Sequence, residues 1–92
     1  MATVTTTVVN KRSGARFDVY VGRPTIFGNP FAVGRDGTHE EVVEKFRTYL
    51  AEKPLLIKTV RRELRGRVIA CWCAPLSCHA DVLARVADGG EP

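Results

Sequence analysis

No uninterrupted apolar run in this 92-residue chain approaches the ~20 residues that a helical membrane span needs. The opening Met1-Ala2-Thr3-Val4 lacks both the basic start and the extended apolar middle of a secretory leader. A cytoplasmic protein with no membrane partner is therefore expected. Cysteine is scarce and odd in number, at three, which argues against a closed disulfide framework and fits reduced thiols. No segment repeats, none is of low complexity, and no linker divides the chain. The expectation is one domain over residues 1–92, with a core from about residue 4 to residue 87 and a frayed end at 88–92. Neither the P-loop nor the dinucleotide-binding glycine spacing occurs. Neither sign of charge dominates: 14 Lys and Arg against 10 Asp and Glu leave +4, which favours anionic partners without identifying one.

What is present reads as a small α/β protein. Val4 to Val9 alternates Thr with Val as a strand does, and Phe17, Val19 and Val21 alternate with Asp18 and Tyr20. The turn chemistry of Asn10-Lys11-Arg12-Ser13-Gly14 between them predicts a β-hairpin. A Gly/Pro/Asn-rich loop then runs from Gly22 to Gly37, long enough to suggest a functional role. Thr38 and Glu41 form a capping-box pattern ahead of a helix over 39–52, with Val42, Val43, Phe46, Tyr49 and Leu50 at helical spacing. Pro54 opens a second helix with Leu55, Leu56, Val60 and Leu64 inward, and Gly66 ends it. Arg67 to Trp72 reads as a buried strand, and Cys78 to Ala87 as a third helix. The expected order is β-β-α-α-β-α, a three-stranded sheet covered by helices.

The densest chemistry lies in Cys71-Trp72-Cys73-Ala74-Pro75-Leu76-Ser77-Cys78-His79-Ala80-Asp81, which holds all three cysteines and one of the two histidines. Residues two apart on a strand share a face, so Cys71 and Cys73 point one way and Trp72 the other, where a core position is expected and a stacking platform is the alternative. Ser77 suits the helix cap. Cys78 and His79 then fall in the first turn, where open N–H groups and the helix dipole favour an anion and lower a thiol's pKa. Three readings stand. Cys71, Cys73, Cys78 and His79 would make a Cys₃His zinc site, the one cofactor the sequence suggests, although C-x-C-x₄-C-H lacks paired C-x₂-C knuckles. Alternatively Cys78 is an activated thiolate. Or the cysteines are small buried hydrophobes shaping a strand–loop–helix joint, itself compatible with a pocket wall. Asp81 either complements the helix dipole or touches a ligand.

A second cluster comes off the second strand. Arg23 offers a planar cation suited to phosphate or carboxylate, and Asn29, held extended before Pro30, offers its amide; otherwise the pair ties down a long loop. His39 is expected to be an exposed first-turn residue. Lys58, Arg61, Arg62 and Arg65 fall along one face of the second helix, a solvated face or a phosphate-backbone footprint.

Three blocks carry a resemblance: Asp18-Val19-Tyr20-Val21-Gly22-Arg23-Pro24 running into Phe27-Gly28-Asn29-Pro30-Phe31; Asp36-Gly37-Thr38-His39-Glu40-Glu41-Val42; and Cys71-Trp72-Cys73-Ala74-Pro75 with Cys78-His79-Ala80-Asp81-Val82-Leu83. Over residues 8–87 the chain resembles a family of small phage and bacterial proteins known as domain of unknown function 4326. It departs at Phe27, where the family pattern has Trp, and at Ala80, where it has Gly. The resemblance implies a shared site and a phage or bacterial setting, and no particular activity.

The expected function is binding of a nucleotide-like or other phosphorylated anionic ligand. Its pocket would join Arg23 and Asn29 to Cys73, Ser77 and His79, with Cys78 and then Asp81 as the residues for any chemistry. Whether the protein is an enzyme stays open. The alternative is a non-enzymatic module, with or without zinc to hold it, that contacts nucleic acid or a host protein through the basic helix.

Overall fold

The run Val68-Ile69-Ala70-Cys71 has no polar residue to show to water, so it needs a neighbour on each edge and cover on its faces. A computed structural model, describing residues 5–23, 25–72 and 79–92, provides this. The strands are β1 (Thr7–Asn10), β2 (Val19–Tyr20) and β3 (Val68–Cys71), in the order β1-β3-β2. Both outer strands run parallel to β3, with Val8 opposite Ile69, Asn10 opposite Cys71 and Tyr20 opposite Ala70.

The hairpin expected between the first two strands is therefore absent: β3 lies between them. Local turn chemistry favoured a hairpin, but burying β3 on both edges outweighs it. The residues between β1 and β2 instead form a 3₁₀ turn, Lys11–Ser13, capped by the Asn10 side chain, which accepts from the Arg12 N–H at 2.8 Å. Asp18 then fastens the far edge, its N–H donating to the Val68 carbonyl at 2.7 Å and its carboxylate accepting from the Val68 N–H at 2.8 Å.

The helices are α1 (His39–Ala51), α2 (Pro54–Glu63) and α3 (His79–Ala87). The Thr38–Glu41 capping box forms in both directions, at 3.2 and 3.0 Å. Val42, Phe46 and Leu50 bury the inner stripe of α1. Pro54 occupies the first turn of α2, and Gly66 turns the chain into β3 with φ of 74°. Leu55 is not inward: it is 77% exposed, because it shares the face of Thr59 and Arg62 rather than that of Leu56, Val60 and Leu64. Phe46, Leu50, Val60, Leu64, Ile69, Leu83 and Val86 close the core between helices and sheet, each worth roughly 1.5–3 kcal/mol when fully buried.

The segment expected to fray from residue 88 is hydrogen-bonded through Gly90. Asp88 accepts from Thr6, the Gly90 N–H donates to the Arg85 carbonyl at 2.8 Å, and the Gly90 carbonyl accepts from Arg61 at 3.2 Å. Among the described residues no helix is long and apolar enough to cross a membrane.

Candidate functional site

Because all three strands are parallel, their carboxyl ends share one edge of the sheet, the usual place for a ligand in open α/β folds. A cavity of about 370 Å³ opens there. Tyr20, Gly22 and Arg23 reach it from the end of β2, Cys71 and Trp72 from the end of β3, and His79 from the start of α3. Asn29, Phe31 and Val33 of the long loop and His39, Val42 and Val43 of α1 complete the wall.

His79 is the buried polar group of this wall, at 9% exposure. Its Nε2 lies 2.8 Å from the Val21 carbonyl oxygen. A carbonyl only accepts, so Nε2 carries the proton and Nδ1 carries the lone pair. Burial pushes the imidazole below its ordinary pKa and the Arg23 charge adds to this, while the Val21 carbonyl and Asp81 oppose it. The ring is therefore neutral near pH 7 and stands edge-on to Phe46, with centroids 5.3 Å apart.

Arg23 is exposed at the mouth, and among the described residues its guanidinium makes no hydrogen bond. Its backbone sits in a tight turn: the Thr25 N–H and hydroxyl both donate to the Gly22 carbonyl, at 3.0 and 2.6 Å. Glycine at 28 leaves room for the arginine, since a Cβ there would lie 2.9 Å from Arg23 Cγ. Asn29 is less available than expected. Its Nδ2 donates to the Val42 carbonyl at 3.0 Å and its Oδ1 accepts from the Phe31 N–H at 2.9 Å. It pins the loop to α1, and one N–H and one lone pair of its amide remain beyond these two bonds.

Trp72 is not a core residue. The ladder stops at Cys71, so Trp72 lies past the strand and is 47% exposed. Its indole N–H donates to the Tyr20 hydroxyl at 2.8 Å, and that hydroxyl donates to the Arg23 carbonyl at 3.4 Å. The Tyr20 and Trp72 rings meet at 74° with centroids 6.4 Å apart. Lys11 Nζ lies 4.4 Å from the Tyr20 centroid and 5.1 Å from that of Trp72, and Arg12 Cζ lies 5.0 Å from the Trp72 ring. Gly22 makes this cluster feasible: a Cβ there would collide with the Tyr20 hydroxyl and ring.

Of the other residues read from the sequence, Cys73, Ser77 and Cys78 lie outside the described residues. Cys71 is buried in the cavity wall. Asp81 is exposed in the first turn of α3 and is not part of that wall. No group of three metal-ligating side chains occurs among the described residues. His39 is half-buried and lines the cavity rather than standing clear of the fold. The basic stripe is partly used internally. Arg61 donates to the carbonyls of Val86 and Gly90, both at 3.2 Å, Arg62 pairs with Glu63 at 3.0 Å, and Arg65 lies beyond the end of α2.

Sequence reasoning missed Tyr20 as part of the cavity wall, and Lys11 and Arg12 as neighbours of the Tyr20 and Trp72 rings at its rim. The usable signal was the uniformly apolar β3, which requires two flanking strands and so brings the ends of β1 and β2 beside Trp72.

The sequence was compared with known proteins. It is 35% identical over 83 residues to the "Uncharacterized 12.4 kDa protein in nrdA-td intergenic region" of Enterobacteria phage T4, covering 86% of this chain and 74% of the phage protein. No solved structure matches. The model of one family, Domain of unknown function (DUF4326), matches residues 6–89, and to that family the chain belongs.

Proposed function

We propose that this protein binds a nucleotide-like or other phosphorylated anionic ligand in the cavity at the carboxyl edge of its sheet, in a cytoplasmic setting. The observation that carries the reading is Arg23, an exposed cation at the mouth with no hydrogen-bonding partner among the described residues. Beside it stand a neutral imidazole and two aromatic rings. A guanidinium so placed suits a phosphate, His79 leaves one acceptor, its Nδ1 lone pair, for a ligand donor without adding a second charge, and Trp72 and Tyr20 offer apolar surface to a base. The volume falls at the small end of ordinary ligand pockets, on the scale of one nucleotide. Any accompanying thiol chemistry would fall to Cys78, with Asp81 the next residue to examine.

The alternative, an interaction module working through the basic helix, has less support because Arg61 is committed to the carbonyls of α3 and the turn after it. Zinc content of protein purified without added metal bears on its zinc-held form, which near-stoichiometric zinc would favour.

Titration calorimetry with ADP, thymidine monophosphate and inorganic phosphate at low salt tests the proposal. Binding by at least one of them, weakened roughly tenfold or more by Arg23→Ala, is expected for the loss of a charge-assisted hydrogen bond. Absence of binding by all three, or equal affinity in the Arg23→Ala protein, would overturn it.

A further inference from the structure

The three parallel strands each deliver something to one exposed cluster. Lys11 and Arg12 follow β1, Tyr20 ends β2 and Trp72 follows β3. Tyr20 and Trp72 also line the cavity, whereas Lys11 and Arg12 do not. The cluster is therefore a continuation of the site outward, from the cavity rim across an aromatic pair to two exposed cations.

A single mononucleotide gives that continuation nothing to do. Its base and phosphate would be accommodated within the cavity, leaving Lys11 and Arg12 outside. A strand of nucleotides uses all of it: one residue in the cavity, the neighbouring base on Trp72, and the following phosphates on the two cations. We propose that the ligand of this edge is single-stranded nucleic acid, with Trp72 as the stacking platform and Lys11 and Arg12 as phosphate contacts. This inference rests on the cavity reading given above and specifies its ligand class.

The resting arrangement suits such exchange. The cations now lie over the rings at 4.4–5.1 Å. At an exposed position such a contact is worth roughly two- to fivefold in an equilibrium constant. Stacking of a base on an aromatic side chain is worth roughly five- to 150-fold. Trp72 carries two such contacts, together roughly five- to thirtyfold, so an incoming base displaces both cations from the ring and they recover that cost on the phosphates that accompany it. Duplex nucleic acid cannot use this edge, because its bases are already stacked and paired. The contacts proposed here differ from the basic stripe of α2 and make it dispensable.

The experiment compares fluorescence-labelled oligothymidylate of about eight nucleotides, within the site sizes common for single strands, with thymidine monophosphate and with a duplex of equal length. The full chain is used. Its single tryptophan is Trp72, so quenching of intrinsic emission reports stacking directly. The expected result is an oligonucleotide bound at least tenfold more tightly than the monophosphate, with quenching and a steep loss of affinity as salt rises. Trp72→Ala should weaken the oligonucleotide roughly five- to 150-fold and Trp72→Phe much less. Lys11→Glu with Arg12→Glu, at exposed positions that leave the core untouched, should remove the preference for the oligonucleotide and reduce the salt slope. Lys58→Ala with Arg62→Ala should leave binding unchanged. Equal affinity for monophosphate and oligonucleotide would overturn this inference and leave the cavity reading standing. So would oligonucleotide binding that is indifferent to Trp72, Lys11 and Arg12, or lost with Lys58 and Arg62. Failure of both ligands to bind would overturn this inference, and the cavity reading would fall with it only if ADP and inorganic phosphate also fail to bind.

Discussion

His79 Nε2 lies 2.8 Å from the carbonyl oxygen of Val21, so the first residue of α3 is locked to the residue that follows β2. One hydrogen bond thus fixes two walls of the cavity relative to each other. His79→Ala removes the donor, leaves a buried carbonyl unpaired and opens a void against Phe46. It should cost about 2–4 kcal/mol, read from urea denaturation. A cost near zero would mean that the bond does not hold the wall.

The same residue sets a pH dependence. Burial depresses the folded pKa of His79 below its ordinary 6.5, so the unfolded chain takes up the proton first. The corresponding stability is fully present above the unfolded pKa and is lost as pH falls through the folded one. Wild-type stability should therefore be level from about pH 8 to 7 and decline below about pH 6.5. His79→Phe should flatten that limb. The depressed carboxylates of Glu41 and Asp36 act lower, below their ordinary 4.5 and 3.8, so the two effects separate along the pH axis. An unchanged slope between pH 7 and 5 in the variant would contradict the assignment.

Gly22 serves as clearance for Tyr20. A Cβ at residue 22 meets the Tyr20 hydroxyl, and its nearest ring carbon beyond Cζ is 2.8 Å away. Gly22→Ala should therefore push the ring aside, break its hydrogen bond from the Trp72 indole and change Trp72 emission. A destabilisation of about 1–3 kcal/mol is expected. The penalty should shrink in a Tyr20→Ala background, where nothing is left to collide with. Strict additivity in that double-mutant cycle would argue that the glycine matters for another reason.

The helices were legible because their signals are local. Thr38 and Glu41 cap α1, and Val42, Phe46 and Leu50 repeat at its period, so no distant residue is needed to place them. Strand order was not legible in this way. Asn10 to Gly14 has the composition of a hairpin turn, and only the requirement to flank β3 on both edges overrides it. Arg23 was recognisable as a loop cation of the cavity wall because Gly22 and Pro24 punctuate it. The pairing of Trp72 with Lys11 was not, because 60 residues of chain separate them and only the register of β1 on β3 brings them together. Asn29 has a second role whose partners its sequence context did not reveal: its amide also ties the loop to Val42 and Phe31.

Thr6 and Asp88 join the two ends of the fold. The Asp88 carboxylate accepts the Thr6 hydroxyl at 2.7 Å and the Thr6 N–H at 3.1 Å, and Thr6 Oγ1 accepts from the Gly66 N–H at 3.1 Å. The start of β1, the turn into β3 and the end of α3 therefore share one clamp. Asp88→Ala leaves the largely buried Thr6 N–H without its acceptor and should cost about 1–3 kcal/mol in chemical denaturation. Asp88→Asn, which keeps one acceptor oxygen, should recover part of it. Equal losses in the two variants would show that the charge, rather than the acceptor geometry, carries the clamp.

Neighbouring arginines on α2 should separate cleanly. Arg61 reaches across to α3 and donates to the carbonyls of Val86 and Gly90, both at 3.2 Å, completing the end of that helix. Arg62 pairs with the adjacent Glu63 in solvent, where such pairs contribute little. Arg61→Ala should lower stability by about 1–2 kcal/mol, through two lost hydrogen bonds to the end of α3. Arg62→Ala should stay within about 0.5 kcal/mol of wild type. Chemical denaturation of the two variants, at low salt and again at high salt, distinguishes the roles. The Arg61 loss should persist at high salt because its acceptors are uncharged carbonyls, whereas any Arg62 effect should be screened away. Matching losses in both variants would mean that α2 contributes a diffuse basic face and does not clasp α3 through Arg61.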